Sequence, residues 1–139
     1  MRKSAKQKAK VRPYGLHLLL DGYKADPEKL ADVSLLYETL SSLPDKIGMK
    51  RVGFPHIIRF TEPPVAGISG FIFIVESHIS IHTYADQQFI SADIYSCKEF
   101  NPDTAISLLK RTFAIKRMET SLINRGTYFF ENKESDGHS

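Results

Sequence analysis

The sequence contains one cysteine, and none of its apolar runs approaches the length of a membrane span. A single cysteine cannot form an internal disulfide, so nothing in the composition indicates an oxidising compartment. A helix that crosses a bilayer needs roughly 20 consecutive apolar residues. The charged N-terminus has no apolar segment behind it, so we expect no secretory signal. These absences together predict a cytoplasmic protein with no membrane partner.

Acidic residues are absent from residues 1–12, which carry six basic ones. The chain has 19 Lys and Arg against 16 Asp and Glu, so the remainder holds 13 basic against 16 acidic residues. We therefore predict a disordered basic tail over 1–12, one globular domain over 13–130 and a polar tail over 131–139. A folded nucleic-acid-binding domain would spread its basic residues over one face, so nucleic acid is not the expected partner.

Hydrophobic periodicity divides the domain into strands and helices. The predicted strands are 14–23, 49–60 with an interruption at Pro55, 70–83, 89–95 and 118–130 with a bend at 124–126. One predicted helix begins at Asp26-Pro27 and is ended by Pro44, and a second begins at Asn101-Pro102. This order predicts an α+β fold, a two-layer sandwich with two helices packed on one face of a largely antiparallel sheet.

The densest strand signal, over 70–83, is interrupted by the polar tripeptide Glu76-Ser77-His78. Its odd-numbered positions stay apolar on both sides of Ser77, which predicts one continuous core face. An unbroken strand of this length would exceed the usual 3–10 residues. The tripeptide therefore indicates either a functional step or a polar bend between two shorter strands.

Two other candidate sites rest on residue type alone. His78 and His82 have the spacing of helical zinc ligands, but in a strand they lie ~13 Å apart, too far to share one ion. Cys97 and His82, oriented by Asp93, form a possible nucleophilic pair. A lone cysteine at a strand end is otherwise a small buried hydrophobic residue.

The segment GISGFIFIVESHISIHT (67–83) is the first of four segments that match the motifs of a known family. It resembles the block G-V-S-G…E-S-H-L-[ST]-I-H-T of the prokaryotic S-adenosylmethionine decarboxylases. GLHL with a following Asp (15–21), DIYSC (93–97) and NRG (124–126) are similar to G-x-H-L…[DE], D-[VL]-[FY]-[TS]-C and E-R-G. The resemblance spans residues 14–130, and it implies a proenzyme that processes itself.

The resemblance implies that the chain cuts its own backbone between Glu76 and Ser77. The Ser77 hydroxyl would attack the Glu76 carbonyl and convert the amide to an ester. Elimination and hydrolysis would then leave a pyruvoyl group, made from Ser77, at the start of a chain of residues 77–139. The other product is a chain of residues 1–76. No metal and no pyridoxal phosphate is implied.

The same resemblance assigns roles to three more residues. His82 is the base for the elimination, Ser69 assists the tetrahedral intermediate, and Cys97 is the proton donor during turnover. A pyruvoyl ketone forms a Schiff base with the substrate amine and accepts electrons when carbon dioxide leaves. A thiol can return a proton to the resulting carbanion at neutral pH.

Strand geometry adds a constraint on these roles. Five residues of extended strand would place His82 about 16 Å from Ser77, whereas a base acts within ~3 Å. Either the chain folds back at Glu76–His78, or His82 comes from another subunit. The resemblance favours the second, a homodimer in which Ser69 and His82 of one protomer face Ser77 and Cys97 of the other.

The substrate side departs from the family pattern. Residues 84–86 read YAD where the family has W-P-E, Lys98 replaces a common Gly, and an insertion follows Phe60. Phe60, Tyr84 and Asp86 are the implied substrate-binding residues. The implied substrate is S-adenosylmethionine, decarboxylated for spermidine biosynthesis. Alternatives are a pyruvoyl-dependent ornithine or arginine decarboxylase, and a non-catalytic dimer whose basic tail contacts nucleic acid.

Overall fold

The computed structural model describes residues 12–62 and 65–131. Its main elements follow the order β1 Gly15–Tyr23, α1 Pro27–Leu30, α2 Val33–Lys46, β2 Lys50–Phe60, β3 Gly67–Val75, β4 Ser77–Tyr84, β5 Phe89–Ser96, α3 Pro102–Phe113 and β6 Arg117–Arg125. The two predicted tails fall almost entirely on 1–11 and 132–139, outside the described residues, so these domain boundaries stay a prediction.

One sheet contains all six strands, in the order β2-β3-β4-β5-β1-β6, and every neighbouring pair is antiparallel. Leu40 of α2 and Phe113 of α3 are fully buried in one apolar cluster with Ile72 and Ile79 of the sheet. Both longer helices therefore pack on the same face of the sheet. The predicted α+β fold, with two helices on one face of an antiparallel sheet, is confirmed.

The first predicted helix is two helices in the structure. Asp26 caps α1 by accepting a hydrogen bond from the Glu28 N–H. Asp32 caps α2 in the same way by accepting from the Leu35 N–H. A carboxylate that bonds to the backbone just ahead of it favours a new helix start over continuation of the old helix. The apolar spacing ran through this break and concealed it.

The sequence predicted that Pro44 ends the first helix, but Pro44 does not end α2. It lies inside the last turn, and the helix continues to Lys46. The Pro44 carbonyl accepts hydrogen bonds from the Ile47 and Met49 N–H groups. A proline in the final turn interrupts the helical hydrogen bonds only where they are about to end.

The strand signal over 70–83 is a hairpin. Val75 and Glu76 form its turn, since Ile74 pairs with Ser77, and Ile72 pairs with Ile79. Directly paired residues lie on the same face of a sheet, so even positions of β3 share a face with odd positions of β4. The predicted continuous core face of odd positions is therefore wrong: Phe73 is exposed, whereas Ile72 is buried.

The two edge strands also differ from the prediction. β2 is extended through Pro55, but its pairing with β3 shifts register between Val52 and His56. Proline cannot donate a ladder hydrogen bond and is tolerated on an edge strand at such an irregularity. β6 ends at Arg125, short of the predicted end, because Gly126 turns the chain with a φ of +65°.

The second face of the sheet is covered by none of the described elements, and we call it the open face. It carries polar side chains on β1, β4 and β5 and at Ser69 of β3, together with apolar side chains on β2 and β3. Register places these residues on it: His17, Asp21, Val52, Ser69, Phe71, Phe73, His78, Ser80, His82, Asp93 and Tyr95. None of the described helices has the length and apolar character that crossing a bilayer requires.

The buried end of α3 yields a stability prediction. Phe113→Ala should lower the free energy of unfolding by about 3–5 kcal/mol, because it removes a fully buried ring and leaves a cavity. Urea unfolding followed by circular dichroism measures the change. Phe54→Ala is the matched control, since Phe54 is 66% exposed, and it should cost about 1 kcal/mol or less. Equal losses in the two variants would contradict the assigned core.

Candidate active site

Ser77 begins β4 immediately after the two-residue turn at Val75 and Glu76. Its φ is +119°, a region that residues other than glycine rarely occupy. The Cys97 N–H donates a hydrogen bond to the Glu76 carbonyl oxygen, with an N···O distance of 3.3 Å. Ser77 pairs with Ser96, the residue before Cys97, across the β4–β5 ladder. Glu76, Ser77 and Cys97 are therefore brought together at one end of the sheet.

The side chain of Glu76 is held by Tyr14. The Tyr14 hydroxyl donates to Glu76 Oε1 at 3.1 Å. This hydrogen bond to a carboxylate favours the protonated phenol and raises the pKa of Tyr14. Tyr14 is fixed in turn by its N–H, which donates to the Gly126 carbonyl at 2.9 Å, and by edge contact with the Phe129 ring. Sequence reasoning missed Tyr14, because no local pattern links residues so far apart in the chain.

Ser69 and His82 form a second group. They are directly paired across β3 and β4, and Ser69 Oγ lies 2.7 Å from His82 Nδ1. Both side chains lie on the open face and are partly buried. The hydrogen bond fixes the orientation of the imidazole ring and leaves its Nε2 atom available for proton transfer.

The two groups lie at opposite ends of the β3–β4 hairpin. The chain does fold back at Glu76, but the fold brings Ser69 to His82 and leaves Ser77 five residues along β4 from His82. That separation is about 16 Å of extended strand. The sequence left two ways for His82 to reach Ser77: a fold-back of the chain at Glu76–His78, or a second subunit. The fold-back occurs, but it does not bring His82 to Ser77.

The other two candidate pairings are not assembled within one chain. His82 pairs with Ser91 on β5, six residues before Cys97, so the proposed Cys97–His82 pair is separated. His78 and His82 lie four residues apart on the same extended strand, a spacing of about 13 Å. A shared metal ion cannot bridge that distance.

The predicted substrate-binding residues lie at the Ser69 end of the hairpin. Phe60, Tyr84 and Ser69 line an open cavity of about 450 Å³. Asp86 lines a neighbouring cavity of about 120 Å³, which also contacts Phe60. Gly67 permits this arrangement, because a Cβ there would lie 2.7 Å from the Tyr84 ring. Phe60, Tyr84 and Asp86 are thus close to one another and distant from Ser77.

A polar network on the open face was not predicted. Asp93 Oδ2 lies 3.1 Å from His17 Nε2, and Asp93 Oδ1 accepts a hydrogen bond from Ser80 at 2.6 Å. His78 Nε2 lies 3.9 Å from Asp93 Oδ1, and Ser77 Oγ lies 3.5 Å from His78 Nδ1. The sequence suggested a role for Asp93 only as the residue that orients a Cys97–His82 pair, and for His78 only in a zinc site that strand spacing argued against. One signal in the sequence could have pointed to this network, because all of these residues lie in the segments that carry the family resemblance.

The chain is similar to known proteins over most of its length. A sequence model of the family described as S-adenosylmethionine decarboxylase matches residues 16–126. The chain belongs to the S-adenosylmethionine decarboxylase family. One relative, the S-adenosylmethionine decarboxylase proenzyme of Pyrococcus furiosus, is 29% identical over 113 residues, which are 81% of this chain and 78% of the relative. The proenzyme of Clostridium botulinum is 31% identical over 113 residues, which are 81% and 94% of the two chains.

The fold of this S-adenosylmethionine decarboxylase family member also matches a solved structure. The adenosylmethionine decarboxylase of Aquifex aeolicus superposes with a TM-score of 0.70 at 26% identity. The match covers 83% of this chain and 92% of that one. The resemblance inferred from the sequence motifs is therefore confirmed by both sequence and fold.

The contact between Tyr14 and Glu76 predicts a measurable titration. In a Ser77→Ala background, Glu76→Gln should lower the pKa of Tyr14 towards its ordinary value of 10.0, because the carboxylate that favours the protonated phenol is lost. Titration of ¹³C-labelled tyrosines by NMR measures the shift. Glu119→Gln is the matched control: Glu119 raises the pKa of Tyr23, so this variant should move Tyr23 and leave Tyr14 unchanged. An unmoved Tyr14 in the Glu76 variant would contradict the contact.

Proposed function

We propose that this chain is a self-processing, pyruvoyl-dependent S-adenosylmethionine decarboxylase. Processing cuts the Glu76–Ser77 bond and converts Ser77 into a pyruvoyl group at the new N-terminus of residues 77–139. One observation carries the proposal: Ser77 adjoins a carbonyl that already accepts a hydrogen bond from the Cys97 N–H. Family membership supports it, since the relatives are named proenzymes.

Attack of Ser77 Oγ on the Glu76 carbonyl carbon is the first step. Negative charge develops on the carbonyl oxygen, and the Cys97 N–H is in place to stabilise it. The φ of +119° at Ser77 is a strained backbone state, which costs of order 1–3 kcal/mol. Breaking the peptide bond releases that strain, so the turn lowers the free-energy cost of converting the amide to the ester.

His82 acts on the ester. It removes the Cα proton of Ser77, the Cβ–Oγ bond breaks, and Glu76 leaves as the free C-terminal carboxylate of residues 1–76. Hydrolysis of the remaining enamine releases ammonia and leaves the ketone. Ser69 assists the tetrahedral intermediate, and its hydrogen bond to Nδ1 holds the His82 ring in one orientation.

The residues around Ser77 fit the group that this processing produces. A pyruvoyl group supplies an electrophilic carbonyl that captures an amine and accepts electrons during decarboxylation. Ser96 pairs with Ser77, and Cys97 directly follows Ser96. The side chain of Cys97 is partly exposed, so its thiol can reach a bound substrate. We assign to Cys97 the return of a proton to the substrate carbon after carbon dioxide leaves.

A second copy of the chain completes the site. Within one protomer, Ser77 and Cys97 lie at one end of the hairpin, and Ser69 and His82 lie at the other, about 16 Å apart. A two-fold axis through the middle of the hairpin would superpose one end of each protomer on the opposite end of its partner. We propose a homodimer with two shared sites, each made from Ser77 and Cys97 of one chain and Ser69 and His82 of the other.

The open face is the surface that suits this dimer. Ser69 and His82 both lie on it, and it carries exposed apolar residues such as Val52 and Phe73. Exposed apolar area of this kind favours burial against another surface. Docking of two open faces would cover it and give four layers with helices on the outside.

Phe60, Tyr84 and Asp86 would then bind the substrate from the partner's side of the site. Phe60 and Tyr84 provide aromatic rings on which an adenine ring can stack, and Asp86 provides a carboxylate. Product formation from S-adenosylmethionine supplies aminopropyl groups for spermidine. The changed residues 84–86 favour one second candidate, an ornithine or arginine decarboxylase on the same scaffold. A cytoplasmic location remains a prediction.

Two substitutions separate processing from turnover. The purified wild-type chain should run as two fragments on a denaturing gel, with masses of residues 1–76 and of 77–139 bearing a pyruvoyl group. Ser77→Ala should remain a single inactive chain, because it lacks the attacking hydroxyl. Cys97→Ala should still be cut, but kcat should fall about 10²–10⁴-fold with loss of the proton donor. Ser107→Ala, on α3, is the control and should behave as wild type.

Carbon dioxide release from S-adenosylmethionine, ornithine and arginine decides the substrate. Release from S-adenosylmethionine alone supports the proposal, and release only from the basic amino acids would replace it with the second candidate. An intact wild-type chain without decarboxylase activity would contradict enzyme function and favour a non-catalytic dimer. Full activity of Cys97→Ala would remove Cys97 from the mechanism.

Complementation tests the shared site. His82→Ala and Ser77→Ala chains should each remain uncut when expressed alone. Co-expressed with tags of different size, they should form heterodimers in which the His82→Ala chain is cut, since its Ser77 faces the intact His82 of its partner. The control replaces the helper by a Ser77→Ala/His82→Ala chain, and no cleavage is expected. A mixture that stays uncut, although the heterodimers form, would show that His82 does not act across the interface.

A further inference from the structure

His78 lies between the attacking hydroxyl and a carboxylate. Its Nδ1 atom is 3.5 Å from Ser77 Oγ, and its Nε2 atom is 3.9 Å from Asp93 Oδ1. Both contacts lie within one protomer, at the end of the hairpin where the scissile bond is. A hydroxyl, an imidazole and a carboxylate in this order form the arrangement that activates a serine nucleophile.

The surroundings of Asp93 fix how it can serve the histidine. Arg125 Nη1 lies 2.7 Å from His17 Nδ1, so the arginine donates and Nδ1 accepts. The proton of neutral His17 is then on Nε2, which donates to Asp93 Oδ2 at 3.1 Å. Ser80 donates to Oδ1 at 2.6 Å. Asp93 thus accepts hydrogen bonds from two donors, and a carboxylate in this position favours a proton on the Nε2 atom of His78.

We propose that His78 is the base that activates Ser77 for the first step of self-cleavage, and that Asp93 is the residue that positions it. The inference rests on the proposed function, and it deepens that function by separating two bases. With its proton on Nε2 facing Asp93, His78 presents an unprotonated Nδ1 to the Ser77 hydroxyl. His82 cannot take this role within the same chain, because it is five residues further along β4.

The step is balanced without any other reactant. The Ser77 hydroxyl proton moves to His78 Nδ1 while Oγ bonds to the Glu76 carbonyl carbon. The carbonyl oxygen carries the negative charge beside the Cys97 N–H. The bond from the Glu76 carbonyl carbon to the Ser77 nitrogen then breaks, and the same proton moves from His78 to that nitrogen. The products are an ester through Oγ and a free amine, which is the substrate for His82.

The 3.9 Å separation of His78 and Asp93 is longer than a hydrogen bond. Their side chains are 37% and 25% exposed, and both lie on the open face. Covering that face would exclude water and strengthen the interaction of the ion pair that forms when His78 takes the proton. Catalytic hydrogen bonds of this kind commonly tighten when a site closes.

Hydroxylamine distinguishes the two histidines, because it cleaves esters far faster than amides. His82→Ala chains should accumulate the ester, so hydroxylamine should cut them between Glu76 and Ser77 and leave an N-terminal serine detectable by mass spectrometry. His78→Gln chains should form ester at least about 100-fold more slowly than wild type and should resist hydroxylamine. Arg111→Gln, a change at an exposed residue of α3 on the other side of the sheet, is the control and should process as wild type.

Rescue separates catalysis from folding. Imidazole added to His78→Ala should restore ester formation, whereas a merely structural defect would not respond. Asp93→Asn should slow the same step, with Asp45→Asn on α2 as its control. Hydroxylamine-sensitive ester in His78→Gln, wild-type cleavage of that variant, or a His78→Ala chain that imidazole does not restore would overturn the inference. An uncut wild-type chain would instead remove the proposed function itself.

Discussion

The tight turn at Val75 and Glu76 is the constraint on which the rest of the site depends. Only Val75 and Glu76 separate the paired residues Ile74 and Ser77. Ser77 takes a φ of +119°, and the Glu76 carbonyl accepts a hydrogen bond from the Cys97 N–H at the end of the neighbouring strand. Strand spacing of about 4.8 Å then holds a hydroxyl, a polarised carbonyl and a thiol together. Strain and electrostatic stabilisation therefore act on the same peptide bond.

The same hairpin limits what one chain can do. A paired sheet is stiff, and it holds the Ser69–His82 hydrogen bond at a fixed distance from Ser77. Neither end of the hairpin can move to the other without loss of the ladder. Processing is therefore divided in the proposed mechanism: His78 serves the first step within its own chain, and His82 serves the second across an interface.

Local patterns predicted most of the fold, and their errors have specific causes. The antiparallel sheet and both longer helices followed from periodicity, and α3 begins at Pro102 as its capping sequence predicted. The break at Asp32 was hidden by apolar residues that keep their spacing across it. The core face of the hairpin was wrong because a turn of two residues, Val75 and Glu76, exchanges the parity of the buried positions, which periodicity along one strand cannot reveal.

The sequence by itself determined the fold class, the family and the chemistry available at Ser77, because these depend on residue types at fixed spacing along the chain. Only the tertiary structure decided which residues meet. The contacts of Tyr14 with Glu76 and of His17 with Asp93 join strands or segments remote in sequence, and strand register creates them. Register depends on the packing of the whole sheet against its helices, so no local pattern encodes it.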